Sequence, residues 1–147
     1  MQLSALEAQA NSVEIGPRWP RIVAKVSGAV FLAGAALNLT LAAVKPQLFG
    51  DLGPWMGGPK PLQDLWAATM GAHPRVWGPL VGVVYELSVG LLALSSDPRR
   101  RTAGLVGIAL FHAGLLAMGL WAWALPVLAV LVPTIVRTAQ ERRNGRR

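Results

Sequence analysis

Long apolar runs constrain this chain more than any other feature. A helix needs about 20 residues to cross a hydrocarbon layer of about 30 Å, and four runs approach that length. The first, residues 22–44, is IVAKVSGAVFLAGAALNLTLAAV, and the second, 76–95, contains GVVYELSVGLLAL. A further stretch, AGLVGIALFHAGLLAMGLWAWALPVLAVLVPTIV at 103–136, is too long for one crossing. It predicts a hairpin of two helices, 103–121 and 123–136, turning near WAWALP, with the last helix short. The expected fold class is all-α: an integral membrane four-helix bundle over residues 22–136 with an outer loop at 45–75. Composition agrees, since 53% of the 147 residues are hydrophobic and only 14% charged, too few to cover a soluble domain.

The basic residues set the orientation, because lysine and arginine near helix ends favour the cytoplasmic side. Arg18, Arg21 and Lys25 flank the first run, Arg99, Arg100 and Arg101 separate the second from the third, and Arg137, Arg142, Arg143, Arg146 and Arg147 follow the fourth. Only Lys45, Lys60 and Arg75 lie elsewhere, all in the long loop. Four spans with both termini cytoplasmic satisfy this bias, with a cytoplasmic tail at 1–21, a basic tail at 137–147 and Trp121 and Trp123 in an interfacial belt. The net charge of +7 is thereby explained by topology and contact with anionic lipid headgroups, with no nucleic-acid partner required. The opening MQLSALEAQANSVEIGP lacks a basic start and reads as a tail, partly helical through SALEAQA, rather than a secretory signal.

The outer loop, KPQLFGDLGPWMGGPKPLQDLWAATMGAHPR, is long for a connector. Within it PLQDLWAATMG predicts a short helix with Pro61 in its first turn and Leu62, Leu65, Trp66 and Met70 on one stripe, an amphipathic segment covering the bundle mouth.

One residue violates the apolar pattern. Glu86 lies about ten residues from either end of the second run, roughly 15 Å deep, and no other acidic residue falls in a predicted span. A carboxylate at that depth must face the bundle or a wet cavity. Gly78, Gly82, Glu86 and Gly90 recur every fourth residue, so small residues beside it would admit another helix. His112 is the only histidine within a span; it and Glu86 each stand thirteen positions from Arg99, at matching depth in an antiparallel hairpin. Asn38 aligns with Ser27, Phe31 and Gly34 on a stripe of period near 3.5. The candidate site is a polar vestibule of Asn38, Glu86 and His112, with Tyr85, Asp51 and Trp55 as further lining residues. Interhelical hydrogen bonding alone is the plainer role for each of the three.

The segments RIVAKVSGAVFLAGAALNLT, VKPQLFGDLGPWM, YELSVGLLAL and DPRRRTAGLVGIAL resemble the DoxX-like group of small four-helix membrane proteins, which includes DoxD-type and MauE-type members. The resemblance covers about 22–136, and its best element is Glu86 with Gly90. Many members carry histidine or lysine near the end of the first helix, where this chain has Asn38 and Leu39. The resemblance implies a bundle linked to membrane redox systems, including quinone-linked thiosulfate oxidation and maturation of an amine dehydrogenase.

The chain has no cysteine, so thiolate metal sites, disulfides and dithiol redox chemistry are excluded from it, and no haem-ligand pair or phosphate-binding loop is visible. No cofactor is expected in the chain itself, a bound quinone being the candidate. Three functions remain open. One is a component or accessory of a membrane redox or assembly system in the bacterial inner membrane, binding a quinone- or isoprenoid-like molecule, with a redox protein partner and homo-oligomers formed through glycine-rich faces. Another is a small enzyme doing acid–base chemistry on a lipid-soluble substrate, with Glu86 and His112 as the catalytic pair. The third is a proton-coupled exporter of hydrophobic cations, for which a single four-helix protomer is small.

Overall fold

In a computed structural model, residues 18–144 are described, so the expected helix through SALEAQA and the last three residues of the basic tail lie outside them. Among the described residues all regular structure is helical. The order is α1 (Trp19–Val44), α2 (Leu48–Asp51), a 3-10 turn (Gly53–Trp55), α3 (Lys60–Trp66) leading into a π turn (Ala67–Gly71), α4 (Pro74–Leu94), α5 (Pro98–Ala117) and α6 (Trp121–Asn144). Three helical stretches, α1, α4 and residues Trp121–Glu141 of α6, are long and apolar enough to cross a membrane. α5 has 20 residues but opens on PRRR, which shortens its apolar part. Outward faces are greasy: Ile22, Val26 and Val30 on α1 and Leu110 on α5 are all more than half exposed. Whole helix faces of this kind suit a hydrocarbon solvent.

Local signals account for the helix ends. Asp97 caps α5, its carboxylate accepting the Arg99 N–H at 2.9 Å, and Pro98 takes the first helical position. α5 ends in a Schellman motif around Gly119, whose φ of 88° is left-handed; the Leu120 N–H bonds the Leu115 carbonyl and the Gly119 N–H bonds that of Leu116. This corrects the expected hairpin. The turn falls at residues 118–120, ahead of WAWALP, and α6 is 24 residues long, continuing past residue 136 through both Pro126 and Pro133. Next to Pro133, which lacks the N–H for the Ala129 carbonyl, the buried Thr134 and Thr138 hydroxyls are themselves satisfied by donating to the carbonyls of Val130 and Thr134 at 2.7 and 2.9 Å.

α4 lies between α1 and α5, and α6 packs mainly on α5 while touching α1 lightly. Small residues set these crossings. A Cβ on Gly28 would lie 2.9 Å from the Gly90 carbonyl oxygen, and one on Gly104 would lie 2.2 Å from the Ala93 nitrogen. The resulting core joins Ala24 and Phe31 of α1, Val89 and Ala93 of α4, and Leu105 and Ile108 of α5. The glycine stripe of α4 does admit a neighbour, but the neighbour is the same chain. Gly78 meets Phe49, Gly82 meets Asn38 and Gly90 meets Gly28, so this face is filled internally and is not available to join copies.

At one end of the molecule the Arg101 guanidinium donates to Glu141 Oε2 at 3.1 Å, with Arg21 Nε 3.9 Å from the same oxygen. These contacts gather the starts of α1 and α5 and the end of α6.

Candidate functional site

The site begins with an irregular turn in α4. Pro79 sits inside the helix and is followed by a π turn over Leu80–Tyr85, directly before Glu86. Residues four apart drift by about 40° in a regular α-helix. The wider turn reduces that drift, keeping Gly82 and Glu86 aligned toward α1, while Gly78 meets Phe49 of α2.

Glu86 is 8% exposed. Its Oε2 accepts the Asn38 side-chain N–H at 3.2 Å, and the same amide nitrogen donates to the Gly82 carbonyl at 3.1 Å. One glycine on each helix makes the room: a Cβ on Gly34 would stand 2.6 Å from Glu86 Oε2, and one on Gly82 would stand 3.0 Å from Asn38 Cγ. Asn38 and Glu86, expected only to share a vestibule, are thus in direct contact between α1 and α4.

Above this pair lies a cavity of about 430 Å³, within the usual range for small-molecule sites. Asn38, Tyr85 and Glu86 line its polar part, Leu110, Phe111 and Met118 form a wall from the α5 side, and Phe49, Leu52, Trp66 and Met70 come from the loop. The stripe in the loop helix thus delivers Trp66 and Met70 to the cavity, whereas Leu65 is 54% exposed. The strap Met56–Pro59 is held over the mouth by glycines: a Cβ on Gly58 would meet the Ala117 oxygen and Met118 Cα at 2.9 Å, and one on Gly119 would meet Gly57 at 2.8 Å. Trp66 Nε1 in the cavity wall is buried with no acceptor.

A second cavity of about 350 Å³ lies between α1, α5 and α6, and both Glu86 and Phe111 line it as well. His112, 4% exposed, is in this lining. Its Nδ1 lies 2.9 Å from the Ile108 carbonyl, which can only accept, so Nδ1 carries the proton and Nε2 is the remaining polar atom of the ring. Phe31 and Phe111 pack edge-on at 5.5 Å and flank His112 at 6.0 and 5.7 Å between ring centroids. Tyr85 stacks on Phe111 at 6.2 Å and donates its hydroxyl to the Gly107 carbonyl at 2.8 Å. Glu86 and His112 share a cavity without bonding to each other.

Trp55 lines the first cavity as expected, though 82% exposed, whereas one expected lining residue is placed differently. Asp51 is exposed and does not line either cavity: α2 buries Phe49, and a residue two positions on points about 200° round the helix. Phe111, the aromatic residue common to both cavities, carries no signal in the sequence beyond its adjacency to His112. Gly34 was legible only as a member of the Asn38 stripe, which proves to be the face that α1 turns toward Glu86.

Chemically, the arrangement offers a carboxyl and an amide at the floor of an apolar, aromatic-walled space. Among the described residues no three His, Asp or Glu side chains converge. No protein-family model, curated protein or solved structure matches the chain.

Proposed function

We propose that the chain is a multi-pass protein of the bacterial inner membrane, a four-helix bundle of the DoxX-like group with both termini cytoplasmic. In this reading it binds a quinone- or isoprenoid-like molecule in the loop-covered cavity and acts as a small component or accessory of a membrane redox or assembly system. The observation that carries the reading is the buried Glu86–Asn38 pair on the floor of an aromatic-walled cavity. Ionisable groups at such depth are functional candidates by default. The topology rests on α5 serving as the fourth crossing, since 20 residues rise about 30 Å, and on the basic residues at the shared ends of α1, α5 and α6.

A quinone suits the lining. A flat ring fits among Phe111, Trp66 and Phe49. When bound, such a molecule supplies reversible two-electron, two-proton chemistry. The chain's own residues hold the ring, orient its polar edge toward Asn38 and Glu86, and exclude water. Electrons come from and go to a partner protein.

A second reading, acid–base catalysis on a lipid-soluble substrate, is favoured by one observation. Glu86 and His112 line one cavity with no bond between them, which leaves room for a substrate between acid and base. Turnover by the purified protein without partners distinguishes it.

Tryptophan fluorescence tests the first reading, since Trp55 and Trp66 line the cavity and benzoquinones quench indoles. Titrating decyl-benzoquinone into the detergent-purified protein gives saturable quenching in wild type and a weakened response in Glu86→Gln. Non-saturating, identical curves for both would overturn it.

A further inference from the structure

Glu86 lines two cavities, and only the one beneath the loop is used in the quinone-binding reading above. The other is a slot walled by Val26, Ser27 and Val30 on α1, Ile108 on α5 and Val127 on α6. α1 and α6 touch only lightly, and the lining residues Val26, Val30 and Trp123 are each more than half exposed. The slot therefore opens sideways, at the level of the apolar helices, where the surrounding solvent in a membrane is hydrocarbon. Phe111 and Glu86 belong to both linings. Gly34 lines the slot, and its missing side chain leaves room for the Glu86 carboxyl group, which borders both cavities. At about 430 and 350 Å³ both cavities lie at the lower end of the range for ligand pockets, and together they would take an elongated molecule.

We infer that the slot between α1 and α6 is a second subsite, which holds the hydrocarbon chain of a lipid-soluble ligand whose polar ring lies under the loop against Asn38 and Glu86. This inference rests on the ligand-binding reading of the first cavity. The occupant is a chain because the lining is almost wholly apolar and the mouth faces lipid. The ligand enters sideways through the slot, and its polar group comes to rest at the one place where the two spaces share a polar residue. A chain that leaves lipid for an equally apolar slot gains little affinity, because lipid tails are themselves as apolar as leucine. Its position is therefore the informative quantity.

The test uses two photoreactive benzoquinones with the full-length protein in nanodiscs. One carries a diazirine on the ring, the other at the end of a two-unit prenyl tail. Labelled peptides are mapped with and without excess unlabelled two-unit prenyl benzoquinone, and only competed labelling counts. Tail labelling is expected on residues 26–34 and 123–127, and ring labelling on residues 49–70. Ser27→Phe, which fills the slot from α1, should lower competed tail labelling at least fivefold and leave ring labelling intact. Val127→Phe, from the opposite wall, should do the same, so that a folding fault in one variant does not decide the matter. Competed tail labelling confined to the loop and α4, or unchanged in both variants, overturns the subsite and leaves the ring site standing. Absence of competed labelling from either probe overturns both.

Discussion

The same substitution, glycine to alanine, should have opposite consequences at Gly104 and Gly34. At Gly104 the new methyl would lie 2.2 Å from the backbone nitrogen of Ala93, against about 3.4 Å for an ordinary contact. The obstacle is main chain of a packed helix, so α4 and α5 must part by about 1 Å. That loosens Ala93, Leu105 and Ile108, each no more than 1% exposed. Overpacking of this kind costs about 1–3 kcal/mol, against a helix-propensity gain of up to about 1 kcal/mol for replacing glycine. At Gly34 the methyl would lie 2.6 Å from Glu86 Oε2, the end of a flexible side chain. The carboxyl can swing aside, losing the Asn38 hydrogen bond, an interaction worth on average about 0.6 kcal/mol between membrane helices. The propensity gain offsets that loss. SDS-titrated unfolding in mixed micelles should therefore place Gly104→Ala about 1–2 kcal/mol below wild type and Gly34→Ala within about 0.5 kcal/mol of it. Gly34→Ala should nevertheless lose most saturable decyl-benzoquinone quenching. Equal stability of Gly104→Ala and wild type would refute the close α4–α5 crossing, and full ligand binding by Gly34→Ala would refute the role of the Glu86 position.

Other substitutions probe separate contacts by the same unfolding assay. Tyr85→Phe removes the hydroxyl donated to Gly107 and should cost about 0.6 kcal/mol, with about 1.7 kcal/mol as the ceiling for such bonds. Glu141→Ala leaves the Arg101 side chain, 9% exposed, without its carboxylate partner. Because Glu141 itself is partly solvated, the loss should fall to about 1–3 kcal/mol, below the range for a fully buried pair, and it should shrink in Arg101→Met/Glu141→Ala, where no unpaired charge remains. Gly119→Ala forces a side chain into the left-handed region and onto Gly57, and should cost at least about 1–2 kcal/mol.

What the sequence disclosed follows from the physics of each feature. Apolar length made the helices at 22–44 and 76–95 legible to within three residues of α1 and α4, because crossing lipid leaves few other solutions. The α5–α6 turn was misplaced because Pro126 looks like a breaker, whereas the decisive residue is Gly119, whose role depends on a positive φ. Asn38 and Glu86 could each be placed on a stripe of their own helix by periodicity. Their direct bond depends on the rotation of α1, fixed by Gly28 against Gly90 and Gly34 against Glu86. The π turn after Pro79 and the second cavity are products of packing between distant segments and left no periodic trace in the sequence.

Identifying what the protein carries tests the central claim most directly. Wild type and Glu86→Gln are purified in parallel in mild detergent, their bound lipids extracted and identified by mass spectrometry. The account predicts a defined quinone or isoprenoid in wild type that is lost or reduced in the variant, with both proteins folded. Bulk phospholipid alone in both, with equal stability, would contradict it.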